Sequence, residues 1–337
     1  MSQLVTLNEI RAAERRIAGV AARTPLYRVS RARLRMAKVA EPEFDLYIKA
    51  ESEQPIGSFK LRGAYNMVAQ LPPEALRRGV ITYSSGNHAQ GVAYAARALG
   101  AKAVIVMPEN APAIKKAATA ALGAEIVEVG PASSERQAKA EELAAKFGYS
   151  IVPPYNDPAI IAGQGTCGLE IVEQLPGVDL VIAPVSGGGL LSGIATAVKL
   201  VAPHVKVWGG EPALAADAKE SFETKTLVEW PASKTTRTIG DGLRTQSLGA
   251  LNFEHVLRYV DGIAAVSEEE IMAAMRTLLE ATTLVPEPSG AVSLGAALFH
   301  AVEMGEAAKG PRKVVAVLSG GNLDPELRKK LDAAAGM

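Results

Sequence analysis

The sequence predicts an α/β protein with two parallel-rich open sheets, one in a large lobe and one in a small lobe. Short apolar runs alternate with segments of helical period, as in successive βαβ units. The alternation comes in two series, one from Val80 to Val152 and one from Leu180 to Leu318. A chain of 337 residues is too long for one small core and suits one large α/β unit or two lobes that share an interface.

Thr6 to Glu9 reads as a capping box that opens an amphipathic first helix, and Ala22-Arg23-Thr24-Pro25-Leu26 closes it with a proline turn. Leu46 to Ala50 is a short strand that leads into the segment Glu51 to Asn66. The first series then places strands at Val80–Tyr83, Ala103–Met107, Glu125–Val129 and Ser150–Val152. Helices lie between them at His88–Leu99, Pro112–Leu122 and Ser133–Phe147, with Gly100 and Gly123 as C-terminal stops. The second series has strands at Leu180–Val185, Val205–Gly209 and Val314–Leu318. Its helices are Leu190–Val201, Glu268–Ala281, Gly290–Glu303 and Pro325–Ala335. The expected division is a large lobe of residues 1–78 plus 153–337, with 79–152 inserted as a small lobe.

Composition narrows the function classes. Hydrophobic residues make up 48% and charged residues 21%, values of a globular enzyme rather than a disordered chain. Lys+Arg and Asp+Glu are both 36, so nothing in the net charge favours nucleic acid or an anionic membrane surface. A net charge of zero also favours self-association, and a homodimer or homotetramer is expected. The one cysteine, Cys167, lies among small and apolar neighbours and reads as a packing residue. It fits a reducing cytoplasm, as does an N-terminus without a signal-peptide layout. No run approaches the ~20 apolar residues of a membrane span.

Four segments carry chemistry. The strand Val181–Val185 is followed by Ser186-Gly187-Gly188-Gly189-Leu190 and a helix, a turn whose amides and helix start suit a phosphate. A flexible βα turn is the plainer account. Gly187-x-Gly189-x-x-Ser192, with Glu211 about 20 residues on, also nearly fits a dinucleotide fingerprint and so a nicotinamide oxidoreductase. In Gly57-Ser58-Phe59-Lys60-Leu61-Arg62-Gly63-Ala64 a lysine stands among glycine and apolar residues. Desolvation there lowers its pKa and frees a neutral amine, unless it simply snorkels from a helix start. Ser84-Ser85-Gly86-Asn87-His88-Ala89-Gln90-Gly91 opens a helix after a strand, where a carboxylate is well received; plain N-capping explains one serine but not the whole polar run. Leu318-Ser319-Gly320-Gly321-Asn322 lies at the C-terminal end of a strand, the edge where open α/β sheets bind ligands.

Together and in this order the four segments resemble the fold-type-II, tryptophan-synthase-β-like pyridoxal-5′-phosphate (PLP) enzymes. The similar branch holds threonine and serine dehydratases, serine racemase and hydroxyaspartate dehydratases. Thr24-Pro25-Leu26, Gly163-Gln164-Gly165-Thr166, Ile239-Gly240-Asp241-Gly242 and Glu287-Pro288-Ser289-Gly290 add to the resemblance, which spans almost the whole chain. It leaves little room for the oxidoreductase, which would give Lys60 and Ser319 no role.

The resemblance implies roles. Lys60 would hold the cofactor as a Schiff base and later take the substrate Cα proton, with Phe59 packed beside the ring. Asn87 would bond the ring 3′-oxygen, Ser186 to Leu190 would cradle the phosphate, and Ser319 would face the pyridine nitrogen; Gly242, Glu287 and Asn322 would complete the cofactor site. A neutral Ser319 hydroxyl does not hold that nitrogen protonated, so the ring is a weaker electron sink, consistent with prompt loss of a β-leaving group. Ser84, Ser85, Asn87 and His88 would receive the substrate carboxylate. The implied reaction is dehydration and deamination of L-threonine or L-serine to a 2-oxo acid and ammonia. Ser85 would be the second acid/base of a racemase, which shares the scaffold. Arg136 would select an acidic substrate such as threo-3-hydroxyaspartate if it reaches the site; a solvated helix arginine is the alternative. Glu211, Asp217 and the Ala215 carbonyl resemble a site for Mg²⁺, or Mn²⁺ or Ca²⁺, the alternative being two solvated carboxylates. Gly240 stands where many relatives have alanine. The chain ends one helix after Ser319, so no C-terminal regulatory domain is expected and a catabolic role fits best. His204, His255 and His300 lack ligand spacing and read as structural.

Overall fold

The computed structural model describes residues 4–36, 44–84, 86–111, 113–130, 133–301, 304 and 313–335. Ser85, Pro112 and Glu303, all used in the sequence reading, lie outside the described residues.

Among the described residues ten strands form two sheets: β1 (Leu26–Arg28), β2 (Asp45–Ala50), β3 (Val80–Tyr83), β4 (Ala103–Pro108), β5 (Glu125–Val129), β6 (Ser150–Ile151), β7 (Leu180–Pro184), β8 (Lys206–Pro212), β9 (Gly262–Val266) and β10 (Lys313–Leu318). The larger sheet has the order β1-β2-β10-β7-β8-β9, parallel throughout except where β1 pairs antiparallel with β2. The smaller has the order β5-β4-β3-β6 and is parallel throughout.

The α-helices are α1 (Leu7–Ile17), α2 (Arg31–Met36), α3 (Lys60–Val68), α4 (Pro73–Arg78), α5 (Asn87–Ala98), α6 (Ala113–Ala121), α7 (Ser133–Phe147) and α8 (Pro158–Gln174). After these come α9 (Gly189–Val201), α10 (Asp217–Thr224), α11 (Ala232–Thr235), α12 (Ala250–Tyr259), α13 (Glu268–Ala281), α14 (Pro288–Phe299) and α15 (Pro325–Ala335). The α1 capping box is present: Thr6 Oγ1 accepts from the Glu9 amide and Glu9 Oε2 from the Thr6 amide.

The continuous apolar runs follow from a sheet covered on both faces. Along β10, Val314, Ala316 and Leu318 join one core with α13 and α14, while Val315 and Val317 join another with α8 and α9. Cys167 is buried in that second core, and burial pushes its thiol pKa up, so it packs and does not react. His255 is structural as expected: Nε2 accepts from the Val5 amide, so Nδ1 carries the proton it gives to the Leu251 carbonyl.

The reading of elements missed α8, the longest helix here, along with α2, α3, α4, α10, α11, α12, β1 and β9. α8 is apolar nearly all round and carries Gly163, Gly165 and Gly168, so it shows neither an amphipathic period nor helix propensity. Its glycines serve packing: a Cβ on Gly163 would stand 2.6 Å from the Gly63 Cα, so α3 and α8 meet backbone to backbone. The predicted helix Gly290–Glu303 begins two residues earlier, at Pro288, and ends at Phe299.

Candidate active site

The site forms where the carboxyl ends of β2, β10, β7 and β8 line up beside those of β3 and β6. Ser58 bridges to Gly320, and the Phe59 amide donates to the Ser319 carbonyl at 3.0 Å. These contacts zip the segment after β2 onto the segment after β10. Lys60 opens α3, and its Nζ donates to the Pro154 carbonyl at 2.8 Å, 5.2 Å from the centre of the Phe59 ring. Burial pushes its pKa down to about 8. The alternative of a lysine that snorkels into solvent does not hold: the amine turns inward onto a backbone carbonyl.

Ser186 to Leu190 runs from the end of β7 into α9. Gly188 is the N-cap of α9 at φ +93°, a left-handed conformation that a side chain would strain, and no side chain caps the helix. The Ser186 and Thr245 hydroxyls lie 2.7 Å apart at the edge of this turn. An uncapped helix start with two hydroxyls beside it is an anion site.

Asn87 is the first residue of α5. Its Nδ2 donates to Glu287 Oε1 at 2.7 Å, and its Oδ1 accepts from Asn322 Nδ2 at 2.7 Å, which leaves one amide N–H for a ligand. Burial and the Asp241 charge push the Glu287 carboxyl up to about 7, against the Asn87 bond. The Gly242 amide donates to Ser289 Oγ at 2.9 Å, which ties that loop to the start of α14. Ser84 Oγ accepts from the Gly86 amide. His88 lies beneath the loop rather than on it: it is buried, with Nε2 2.9 Å from the Val152 carbonyl, and burial together with the Lys60 charge lowers its pKa to about 3. Arg136 stands on α7, half-buried, where burial lowers its pKa; α7 packs against β3 and β4.

Glu211, at the end of β8, and Asp217, the first residue of α10, are both buried, which excludes two solvated carboxylates. Glu211 accepts from the Ala218 and Lys219 amides at 3.1 and 2.9 Å, so it is turned away from any ribose and the dinucleotide reading of the glycine turn fails here. Among the described residues neither Asp217 side-chain oxygen has a hydrogen-bond partner beyond its own backbone amide. Burial raises both pKa values, helped at Glu211 by the Asp217 charge and at Asp217, which is pushed up to about 7, by the Glu220 charge. Ala215 lies in the short turn between them. Among the described residues no cluster of three or more His, Cys, Asp or Glu forms a metal centre, so an ion here would need backbone oxygen as well.

Sequence reading missed Thr245, Pro154 and Tyr155, which have no motif of their own and reach the site only through folding. It also passed over the ion cluster behind α3. There Arg62 pairs with Glu51 and Glu170, each at 2.7 Å, and Lys49 pairs with Glu170 at 2.5 Å. PLP fits the assembled residues on three counts: an uncapped helix start for its phosphate, an amine of lowered pKa for its aldehyde, and a neutral serine after β10.

Residues 17–320 match the family model described as pyridoxal-phosphate dependent enzyme. The chain is 41% identical over 279 residues to the L-threo-3-hydroxyaspartate ammonia-lyase of Saccharomyces cerevisiae, covering 83% of each chain. It is 41% identical over 325 residues to the L-threonine ammonia-lyase of Thermotoga maritima, covering 95% of this chain and 76% of the relative. The structure of maize serine racemase superposes with a TM-score of 0.90 at 35% identity, over 99% of both chains. Among the described residues no helix is long and apolar enough to cross a membrane.

Proposed function

The chain belongs to the pyridoxal-phosphate dependent enzymes, and from that membership we propose that it is an ammonia-lyase that converts L-threonine or L-serine to 2-oxobutanoate or pyruvate. The observation that carries the reading is the Lys60 amine, turned onto the Pro154 carbonyl beside the Phe59 ring, where desolvation lowers its pKa to about 8. At that pKa roughly a tenth of the amine is neutral at pH 7, against less than about a thousandth for an ordinary lysine. When bound, PLP withdraws electrons from the substrate Cα and acidifies its C–H bond. Lys60 then takes the Cα proton. The α9 start, with Ser186 and Thr245, would hold the phosphate, and the free Asn87 N–H would bond the ring oxygen. Ser319, a neutral hydroxyl, would not hold the ring nitrogen protonated. Loss of the β-hydroxyl as water leaves an unsaturated amine that hydrolyses to the 2-oxo acid and ammonia.

The test is 2-oxo acid release from L-threonine, L-serine, D-serine and both threo-3-hydroxyaspartate enantiomers. Fast release from L-threonine or L-serine is expected, with a visible band that borohydride abolishes and that Lys60→Ala lacks. Silence on all five substrates with the visible band intact would overturn the threonine or serine lyase and turn the reading to amino-acid racemisation with Ser85 as second base, or to a bulkier β-hydroxy substrate. Release only from hydroxyaspartate is the second reading; the 41% identity to the yeast relative supports it, with Arg136 as the selecting charge.

The same reading puts Mg²⁺, or Mn²⁺ or Ca²⁺, on Glu211, Asp217 and the Ala215 carbonyl; it is supported by the burial of both carboxylates and by the Asp217 oxygens, which have no partner on another of the described residues. It takes residues 79–152, which contain every strand of the smaller sheet, as an inserted lobe. It also takes the working form as a cytoplasmic homodimer or homotetramer.

A further inference from the structure

We propose that Tyr155 is a cofactor-positioning residue: its ring walls the phosphate cradle, and Gly187 is a glycine to receive that ring. The inference rests on the PLP reading of the site. Of the three turn glycines, Gly188 alone has a positive φ, so backbone conformation does not explain Gly187. Sterics do. A Cβ on Gly187 would stand 2.5 Å from Tyr155 Cγ, with the ring edge closer still, and a Cβ on Gly189 would stand 3.0 Å from Tyr155 Cβ. The ring therefore lies flat on the turn that would cradle the phosphate.

The backbone of the same segment holds the reacting amine. Lys60 Nζ bonds the carbonyl of Pro154, the residue immediately before Tyr155. His88 Nε2 bonds the carbonyl of Val152, two residues further back. On the other side Asn156 Oδ1 accepts from the Leu251 amide, and the Gly249 amide donates to the Gly187 carbonyl, so the segment and the turn share one frame. The dipeptide Pro154–Tyr155 thus spans the two ends of the cofactor, the amine that takes its aldehyde and the cradle that takes its phosphate. Its rigidity fixes their separation, and small errors in such a separation are costly.

The test is a double-mutant cycle in the full chain. The PLP dissociation constant is read from the visible band during titration, beside the melting temperature without added PLP. Tyr155→Phe, which keeps the ring, is expected to bind PLP within about twofold of the parent. Tyr155→Ala and Gly187→Ala are each expected to weaken PLP binding by roughly tenfold or more, and the double variant to bind more tightly than Gly187→Ala alone, because the new methyl then has room. Should Tyr155→Ala fail to fold, Tyr155→Leu replaces it, keeping bulk without the flat ring. Parental PLP affinity in Gly187→Ala, or a double variant no better than that single one, overturns the inference. A parent chain without a PLP band instead overturns the cofactor reading itself.

Discussion

Arg62 is the largest fully buried side chain described, and its donors go to Glu51, Glu170, Thr166 and the Ala22 carbonyl. Burial alone would raise the Glu51 pKa, yet the Arg62 charge and hydrogen bonds, with Lys49, hold it at about 2. Two cations and two anions cancel in this cluster, so Arg62→Met leaves buried carboxylates uncompensated. A loss of about 3–5 kcal/mol is expected in urea denaturation, and a loss below about 1 kcal/mol would show that the cluster rearranges around the gap. His88 predicts a pH effect. Its folded pKa is depressed from 6.5 to about 3, so the unfolded chain binds the proton more tightly. The stability this contributes is complete above pH 6.5 and is lost as pH falls from 6.5 towards 3. His88→Gln should flatten that part of the stability curve; an unchanged acid limb would mean that His88 does not titrate there.

At the scale of elements, α8 carries most of what the chain alone hid. It packs between α3 and α9 and so couples the helix that begins at Lys60 to the helix that begins at the glycine turn. Gly163→Ala drives a methyl into the Gly63 Cα and the Arg62 carbonyl, backbone atoms that cannot yield. A loss of about 1–3 kcal/mol is expected, with weaker PLP binding because α3 shifts. A fully stable Gly163→Ala would mean that the helices separate without cost. The motif Gly163-Gln164-Gly165-Thr166, noted for its resemblance alone, thus acquires a physical reason as a helix crossing.

At the scale of the molecule, segments that follow strands of both sheets meet at one site: Lys60 Nζ donates to the Pro154 carbonyl after β6, and Asn87 after β3 bonds Glu287 and Asn322. Lys115 on α6, beside the smaller sheet, pairs with Asp241 next to Gly242, beside the larger one. Glu211 and Asp217 set two buried carboxyls of raised pKa between the end of β8 and the start of α10. An ion bound there only in the folded state adds stability in proportion to its binding, so a chelator should lower the melting temperature of the parent and leave Asp217→Asn unmoved. No shift in the parent would remove the cation from the account.

The sequence by itself determined the α/β class, the strand runs from Val80 onward except β9, and the four segments around Lys60, Asn87, Gly187 and Ser319. Those signals are local: buried parallel strands demand continuous apolar runs, and a turn that admits an anion demands glycine and hydroxyl residues at fixed spacing. Only the tertiary structure decided that Lys60 turns onto the Pro154 carbonyl, that His88 supports the loop from beneath, and that Arg62, Glu51, Glu170 and Lys49 form one cluster. It also decided that α8 is a helix despite its glycines. These features join residues far apart in the chain, and their energies come from burial and close approach, neither of which leaves a periodic trace in the sequence.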